Sequence, residues 1–189
     1  TPHDLDFAVP SGSITLSKAV RKALDGVGYT LDDERQTARV FLKPATPAQQ
    51  VLDFVSFTGE SLADDLRNRD YTVNAMALAL DAPNQLLDPL DGAEDLQKQV
   101  LRVANPLSIE QDPLRAFRAV RLMRQFGLQG EPETKTLIER AGPMMSRVAG
   151  ERVRDELFRL IETPDFASSL RLIQASGLLN AVFPHAEEL

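Results

Sequence analysis

The sequence predicts an α+β fold, in which a head with a mixed sheet precedes an all-helical neck. Runs typical of strands, rich in β-branched and aromatic residues, occur only before Pro106. After Pro106 the apolar residues follow the helical period, and glycine or proline separates one helical pattern from the next. These two observations divide the 189 residues into a predicted head at 1–105 and a predicted neck at 106–189.

Within the head, short strands and helices are predicted to alternate. Strand patterns lie at 5–9, 29–32, 37–42 and 50–57, and helical patterns lie at 14–28 and 60–69. The polar residues 33–36 should form a turn between the second and third strands. The apolar run at 74–80 has no decisive period, whereas 84–103 should hold a turn, a short helix and a last short strand.

Four helices are predicted in the neck, because apolar residues recur there at helical spacing. The four patterns lie at 113–127, 132–142, 147–162 and 164–178. The residues expected to cap or break them are Gly127, Gly142, Pro164 and Gly177.

Composition narrows the classes of protein and of metal site. The 43% hydrophobic and 26% charged residues are typical of a soluble globular protein. No apolar run approaches the roughly 18 residues of a membrane span, so no membrane association is expected. The absence of cysteine excludes disulfides and makes a cytoplasmic location the expected one. With only two histidines, His3 and His185, any metal should be a hard cation held by carboxylates.

The net charge of −7 argues against a protein that coats nucleic acid non-specifically. It is compatible with a local basic face that contacts a nucleic acid at one place.

Two aspartates, Asp4 and Asp6, stand two residues apart at the start of the first predicted strand. Strand alternation places both carboxylates on one face, where like charges are costly unless a cation lies between them. Asp53, in the fourth predicted strand, could add a third carboxylate to a Mg²⁺ site. The alternative is that all three side chains are simply solvated. The D-x-D pattern is common, and by itself it favours this alternative.

The stretch 112–124 carries four arginines at three-residue spacing, namely Arg115, Arg118, Arg121 and Arg124. Asp112 followed by Pro113 is typical of a helix start, so Asp112 could serve only as the N-cap. Each three-residue step turns about 60° around a helix, which keeps Arg115 and Arg118 close to each other. The two later arginines are expected to be solvated or paired with carboxylates.

Arg115 and Arg118 would lie beside the helix N-terminus, a position that favours an anion. Asp112 and Arg115 together could also offer one acceptor and a fork of donors to the edge of a nucleobase.

Four motifs occur in order along the chain: D-x-D at residues 4–6, "RNRDYTVNAM", "DPLDGAEDLQKQVLR" and "QDPLRAFRAVR". In this order the sequence resembles the bacterial class of tRNA nucleotidyltransferases, the CCA-adding enzymes, and the related bacterial poly(A) polymerases. That family shows D-x-D, R-R-D-F-T-x-N-A-M, D-x-x-x-G-x-x-D-L with L-R, and E-D-x-x-R-x-x-R. The later stretches "ERVRDELFRLI" and "LRLIQASGLLNAVFP" also look like helices of the family's neck.

The resemblance implies a nucleotidyltransferase head that transfers nucleotides from ATP or CTP to the 3′ end of RNA, such as tRNA, with two Mg²⁺ ions. Asp4 and Asp6 would be the metal ligands and Asp53 the third catalytic carboxylate. Residues that would contact the incoming nucleotide are Arg69, Asp70 and Asn74 at its ribose and phosphates, Asp112 and Arg115 at its base, and Arg118 as a further contact.

This sequence departs from the family pattern at two of the motifs. Gln111 stands where the family has glutamate, which leaves the choice of base open. Asn68 replaces the first arginine of R-R-D, which removes one positive charge near the triphosphate. The family's G-G-x-x-R-D segment does not precede Asp4, and we therefore expect a chain truncated at both ends, before its tRNA-body domains.

Several activities fit these motifs. CCA addition, A addition and poly(A) synthesis are not separable from the residues. A non-catalytic relative that binds nucleotide or RNA is a second hypothesis, motivated by Asn68, Gln111 and the missing glycine segment. A nucleotidyltransferase that modifies proteins or small molecules is a third, disfavoured by the helix that begins after Asp112.

Overall fold

Residues 4–42, 50–163 and 165–183 are described by a computed structural model. Two of the predictions name residues outside these ranges: His3 and His185 in the argument on metal type, and Pro164 as a helix breaker. The chain packs as two units, Thr1–Asp65 and Leu66–Leu189. These units group residues that pack against one another. The predicted domains at 1–105 and 106–189 are divided by type of secondary structure, and they stay a prediction.

The first unit contains a mixed four-stranded sheet with the strand order β1-β4-β3-β2. Its elements are β1 Asp4–Val9, α1 Ser13–Ala23, β2 Val27–Asp32, β3 Thr37–Leu42 and β4 Gln50–Ser56, and α2 Leu62–Arg67 follows. Strand β1 runs parallel to β4, and the other neighbours are antiparallel. The strands predicted at 5–9, 37–42 and 50–57 are thereby confirmed.

One face of this sheet forms a small apolar core. Val40, Leu52 and Phe54 are buried, because alternate residues of β3 and β4 point to the same side. Phe7 of β1 stacks on Phe54 with ring centroids 5.2 Å apart, and Val20 of α1 packs against the cluster. The opposite face carries the alternate residues of the same strands, including Asp6, Arg39 and Asp53.

The helix predicted at 14–28 ends at Ala23, so the predicted C-terminal end is wrong. Gly28 lies in β2, where a Cβ atom would stand only 2.4 Å from the backbone oxygen of Arg39. The glycine therefore permits close approach of two strands, and the sequence pattern alone mistook it for a helix end.

The second unit begins with short elements and continues as a set of helices. The strands are β5 Ala77–Ala79, β6 Ala82–Leu87, β7 Val100–Leu101 and β8 Gln129–Gly130, and 3₁₀ turns lie at Thr72–Asn74 and Gly142–Arg147. The helices are α3 Gly92–Gln97, α4 Ser108–Gln111, α5 Leu114–Phe126, α6 Pro132–Ala141, α7 Gly150–Ile161, α8 Phe166–Ala175 and α9 Leu178–Val182. The four predicted neck helices are confirmed as α5 to α8, with ends that differ by a few residues.

Helix α5 is the central element of the second unit. It contacts α6, α7 and α8 as well as β7 and β8, and its apolar side is buried, with Phe117 and Val120 at 1% and 0% exposure. The helix ends at Gly127, whose φ of +66° is a left-handed C-cap. Among the described residues, no helix combines the length and the apolar character that crossing a bilayer demands.

The later arginines of α5 are paired with carboxylates, as one of the two sequence interpretations expected. Arg121 Nε donates to Glu156 Oε1 of α7 over 2.6 Å, and Arg124 Nη2 donates to Asp165 Oδ2 over 2.7 Å. Glu156 is only 2% exposed, so the first pair joins two helices inside the unit.

We expect Glu156→Ala to lower the free energy of unfolding by about 3 kcal/mol, because Arg121 would keep a largely buried charge without its partner. Urea denaturation of the variant and the wild type measures the difference. Glu139→Ala, at an exposed site on α6, is the matched control and should change stability by less than about 0.5 kcal/mol. Equal, small effects in both variants would contradict a stabilising role for the buried pair.

Candidate functional site

The acidic residues of the first unit lie on the polar face of its sheet. In register, Asp6 of β1 stands beside Asp53 of β4, and Asp53 stands beside Arg39 of β3. Asp4 precedes Asp6 by two residues in the same strand and so shares its face. Asp4 and Asp6 are exposed, and Asp53 is half-buried. The structure therefore brings the three predicted carboxylates to one face.

Arg39 is a member of this face that the sequence analysis missed. Its Nε and Nη2 donate to the two oxygens of Asp53, each over 2.7 Å. The hydrogen bond with Asp53 is also the main reason why the pKa of Arg39 is raised above its usual value. The bidentate pair occupies both oxygens of Asp53, so direct metal binding by Asp53 would require the pair to open.

Asp4 and Asp6 have the ligand chemistry that Mg²⁺ prefers. Within 4–42, 50–163 and 165–183, no three His, Asp or Glu side chains form a group that could hold a metal. Mg²⁺ is often bound through one or two carboxylates, with water and substrate phosphates completing its coordination. Two exposed carboxylates on one strand face fit that pattern.

In the second unit, the buried Asp70 lies at the centre of a partly exposed polar cluster. Arg118 Nη1 of α5 donates to Asp70 Oδ2 over 2.7 Å. The other oxygen, Oδ1, accepts from the Tyr71 amide over 2.9 Å and from Asn74 Nδ2 over 3.2 Å. The predicted nucleotide contacts Asp70, Asn74 and Arg118 are thus brought together. Arg69, also predicted, precedes them and is half-buried.

The charge state of Asp70 depends on Arg118. Burial of the carboxyl would raise its pKa, but the charge and hydrogen bond of Arg118 outweigh burial, with help from Asn74 and the Tyr71 amide. The pKa of Asp70 is therefore held below its usual value, and the carboxylate stays ionised near neutral pH.

The start of α5 holds an acceptor and a donor without partners. Asp112 Oδ2 accepts from Arg152 Nη2 of α7 over 2.7 Å. Its second oxygen, Oδ1, is buried and has no hydrogen-bond partner among the described residues, and the same holds for Arg115 Nη1. Ser108 Oγ and Arg124 Nε are two further buried atoms without a partner in the described part of the chain. Buried polar atoms are rarely left unpaired, and Asp112 and Arg115 are candidates for ligand contacts because they carry an acceptor and a donor three residues apart.

Asp112 keeps the backbone form expected before a helix, with φ −140° and ψ 91°, and Pro113 already has helical angles. Its side chain pairs with Arg152 and leaves one oxygen unpaired, so the interpretation of Asp112 as a mere side-chain cap is wrong. Arg152 was seen in the sequence only as part of a neck helix. No local signal links it to a residue forty positions earlier.

Comparison with known proteins identifies the family. Residues 1–102 match the poly A polymerase head domain. The chain belongs to this family. Residues 127–189 also match the probable RNA and SrmB-binding site of polymerase A, so the predicted membership of the tRNA nucleotidyltransferase and poly(A) polymerase family is confirmed.

Two relatives and one solved structure illustrate the likeness. The chain is 36% identical to the CC-adding tRNA nucleotidyltransferase of Geobacter sulfurreducens, over 96% of this chain and 41% of the relative. It is 36% identical to the A-adding tRNA nucleotidyltransferase of Deinococcus radiodurans, over 98% of this chain and 42% of the relative. A CCA-adding enzyme in complex with ATP superposes with a TM-score of 0.84 at 28% identity, covering 97% of this chain and 45% of that enzyme.

This structural likeness confirms the predicted α+β class for this member of the poly A polymerase head-domain family. The chain spans less than half the length of the relatives that it matches.

The buried pair between Asp70 and Arg118 predicts a pH-dependent stability difference. Because the folded pKa of Asp70 is depressed, its contribution is complete above the unfolded pKa and is lost as pH falls through the folded pKa. We expect Arg118→Gln to lower the free energy of unfolding by about 2 kcal/mol at pH 7, and by progressively less as the pH falls below about 4. Urea denaturation across this pH range measures the difference.

The control is Arg140→Gln, at an exposed site on α6. A loss in Arg118→Gln that stayed constant from pH 7 to pH 3 would show that the ionisation of Asp70 is not responsible.

Proposed function

We propose that this chain is the head and neck part of an enzyme that adds nucleotides from ATP or CTP to the 3′ end of tRNA without a nucleic acid template. The proposal rests above all on two buried atoms at the start of α5, Asp112 Oδ1 and Arg115 Nη1, which have no partner within the described ranges. The relatives named above act on tRNA and add C or A, which supports the same substrate class here.

The unpaired atoms favour adenine and cytosine by their hydrogen-bonding pattern. A carboxylate oxygen only accepts, and a guanidinium nitrogen only donates. Adenine and cytosine each present an amino donor next to a ring-nitrogen acceptor on the Watson–Crick edge. Guanine and uracil present a carbonyl acceptor next to an N–H donor, which is the reverse. In our proposal Asp112 accepts from the amino group and Arg115 donates to the ring nitrogen.

Asp4 and Asp6 would hold Mg²⁺ in this proposal, and Asp53 would be the third carboxylate of the same sheet face. Bound Mg²⁺ would lower the pKa of the RNA 3′-hydroxyl and neutralise charge on the triphosphate. Arg39 fixes both oxygens of Asp53, which keeps that carboxylate oriented along the face and shielded from its acidic neighbours.

The cluster around Asp70 would serve the sugar and phosphates of the nucleotide. Asp70 fixes the side chains of Asn74 and Arg118, so neither has to lose much rotamer freedom when a ligand arrives. Arg69 and Arg118 would supply positive charge for the phosphates.

Addition of CC, of A, of CCA and poly(A) synthesis are variants of one reaction, and assays with defined acceptors distinguish them. A cytoplasmic location, expected from the absence of cysteine, belongs to the same proposal.

The proposal is tested with the intact protein that contains this chain. It would be incubated with Mg²⁺, each labelled nucleoside triphosphate, and tRNA transcripts that end before CCA, after C or after CC. We expect incorporation of C, A or both, and at least about tenfold less incorporation of G and U, since each mismatched edge leaves buried groups unpaired. Incorporation of G or U at the rate of A or C would contradict the assigned roles of Asp112 and Arg115.

The metal carboxylates are tested in the same assay with Asp6→Asn. We expect incorporation to fall roughly a thousandfold, because a bound metal contributes several kcal/mol to such a transition state. Asp33→Asn, at an exposed position in the turn after β2, is the matched control and should leave the rate unchanged. If the wild-type protein binds ATP but adds nothing to any RNA, a non-catalytic binding protein replaces the proposed enzyme.

A further inference from the structure

The hydroxyl of Tyr71 makes a contact that has no role in the proposed reaction as described above. Tyr71 is fully buried, and its hydroxyl donates to the backbone oxygen of Arg115 over 2.6 Å. The acceptor belongs to the first turn of α5, the same turn that carries the unpaired Arg115 Nη1. One buried tyrosine therefore touches the backbone of a residue that we assign to base selection.

The backbone around Tyr71 is held rigidly on both sides. Tyr71 forms a β-bridge with Val103. Next to it, the Thr72 amide donates to the Arg102 oxygen over 3.0 Å, and the Ala104 amide donates to the Asp70 oxygen over 2.9 Å. These contacts fix the backbone of Tyr71, and its fully buried ring is surrounded by the core.

Asp70 and Tyr71, which are adjacent in the chain, contact the first two arginines of α5. Asp70 binds the Arg118 side chain over 2.7 Å, and Tyr71 binds the Arg115 backbone. The two attachment points are three residues apart, or about 4.5 Å along the helix axis. Helix α5 is already held by its packing against α6, α7 and α8, and these two contacts fix the geometry of its first turn within that packing.

We propose that Tyr71 is a positioning residue for base selection, which acts by fixing the first turn of α5 through the Arg115 carbonyl so that the Arg115 guanidinium points at the incoming base. This inference rests on the proposed function. Burial, with the charge of Asp70, raises the pKa of the Tyr71 hydroxyl, so the group is a donor at neutral pH. Preorganised contacts of this kind set selectivity, since small displacements weaken a directional hydrogen bond.

The test is Tyr71→Phe, which removes one oxygen atom and keeps the ring that fills the core. Phenylalanine also stands at this position in the family motif R-R-D-F-T, so the variant should fold. The hydroxyl contact is therefore an addition in this chain and not a requirement of the family motif. In the intact protein we expect the ratio of kcat/KM for the preferred nucleotide, ATP or CTP, to that for GTP or UTP to fall roughly three- to tenfold, the worth of about one hydrogen bond.

A role in stability alone would not change this ratio, because a smaller folded fraction lowers the rate with every nucleotide equally. Ser169→Ala is the matched control. Ser169 is also fully buried, and its hydroxyl donates to the backbone oxygen of Asp165 over 3.1 Å, away from the first turn of α5. We expect this control to leave the ratio unchanged.

An active Tyr71→Phe enzyme with an unchanged ratio would overturn the inference. A wild-type protein that adds no nucleotide would instead refute the proposed function. A second measurement does not depend on the variant. In the wild type, NMR should show a slowly exchanging hydroxyl proton for Tyr71, whereas Tyr29, which is 54% exposed, should show none. A rapidly exchanging Tyr71 proton would equally overturn the inference.

Discussion

The packing of the second unit depends on how the positive charges on one largely buried helix are paired. Helix α5 packs its apolar side into the core and carries arginines that cannot all reach water. Three of them are paired with carboxylates from other segments, Arg118 with Asp70, Arg121 with Glu156 and Arg124 with Asp165. Asp70 and Glu156 are buried, whereas the pair of Arg124 and Asp165 is exposed. Since a buried charge without a partner is costly, the first two pairs restrict where the neighbouring segments can pack. The helix is thereby a stable base for the groups at its first turn.

The remaining arginine of the series, Arg115, has no carboxylate partner among the described residues. Arg115 keeps an unpaired buried donor, and Asp112 keeps an unpaired buried acceptor, within the part of the chain that the structure describes. Arg152 holds the other oxygen of Asp112, and Tyr71 holds the backbone of Arg115. These hydrogen bonds orient Asp112 and Arg115 and leave Asp112 Oδ1 and Arg115 Nη1 unpaired among the described residues. Such an arrangement is expected where a ligand supplies the missing partners.

The features predicted correctly from the sequence are those that depend on local sequence patterns. The strands at 5–9, 37–42 and 50–57 and the four neck helices follow from periodicity and breakers, and the ordered motifs identified the family. Contacts between distant residues were not predictable. The partners of Arg39 and Asp112 lie on other elements, and nothing near them in the sequence names those partners. Gly28 was misread because a glycine that permits strand approach looks the same as one that ends a helix.

In the proposed site, Asp112 recognises the amino group of the base. Isothermal titration with the intact protein would compare ATP with purine riboside triphosphate, which lacks that amino group, in the wild type and in Asp112→Ala. Our account predicts that losing the amino group weakens binding to the wild type by about tenfold and leaves binding to the variant almost unchanged. Equal weakening in both proteins would show that Asp112 does not recognise the base.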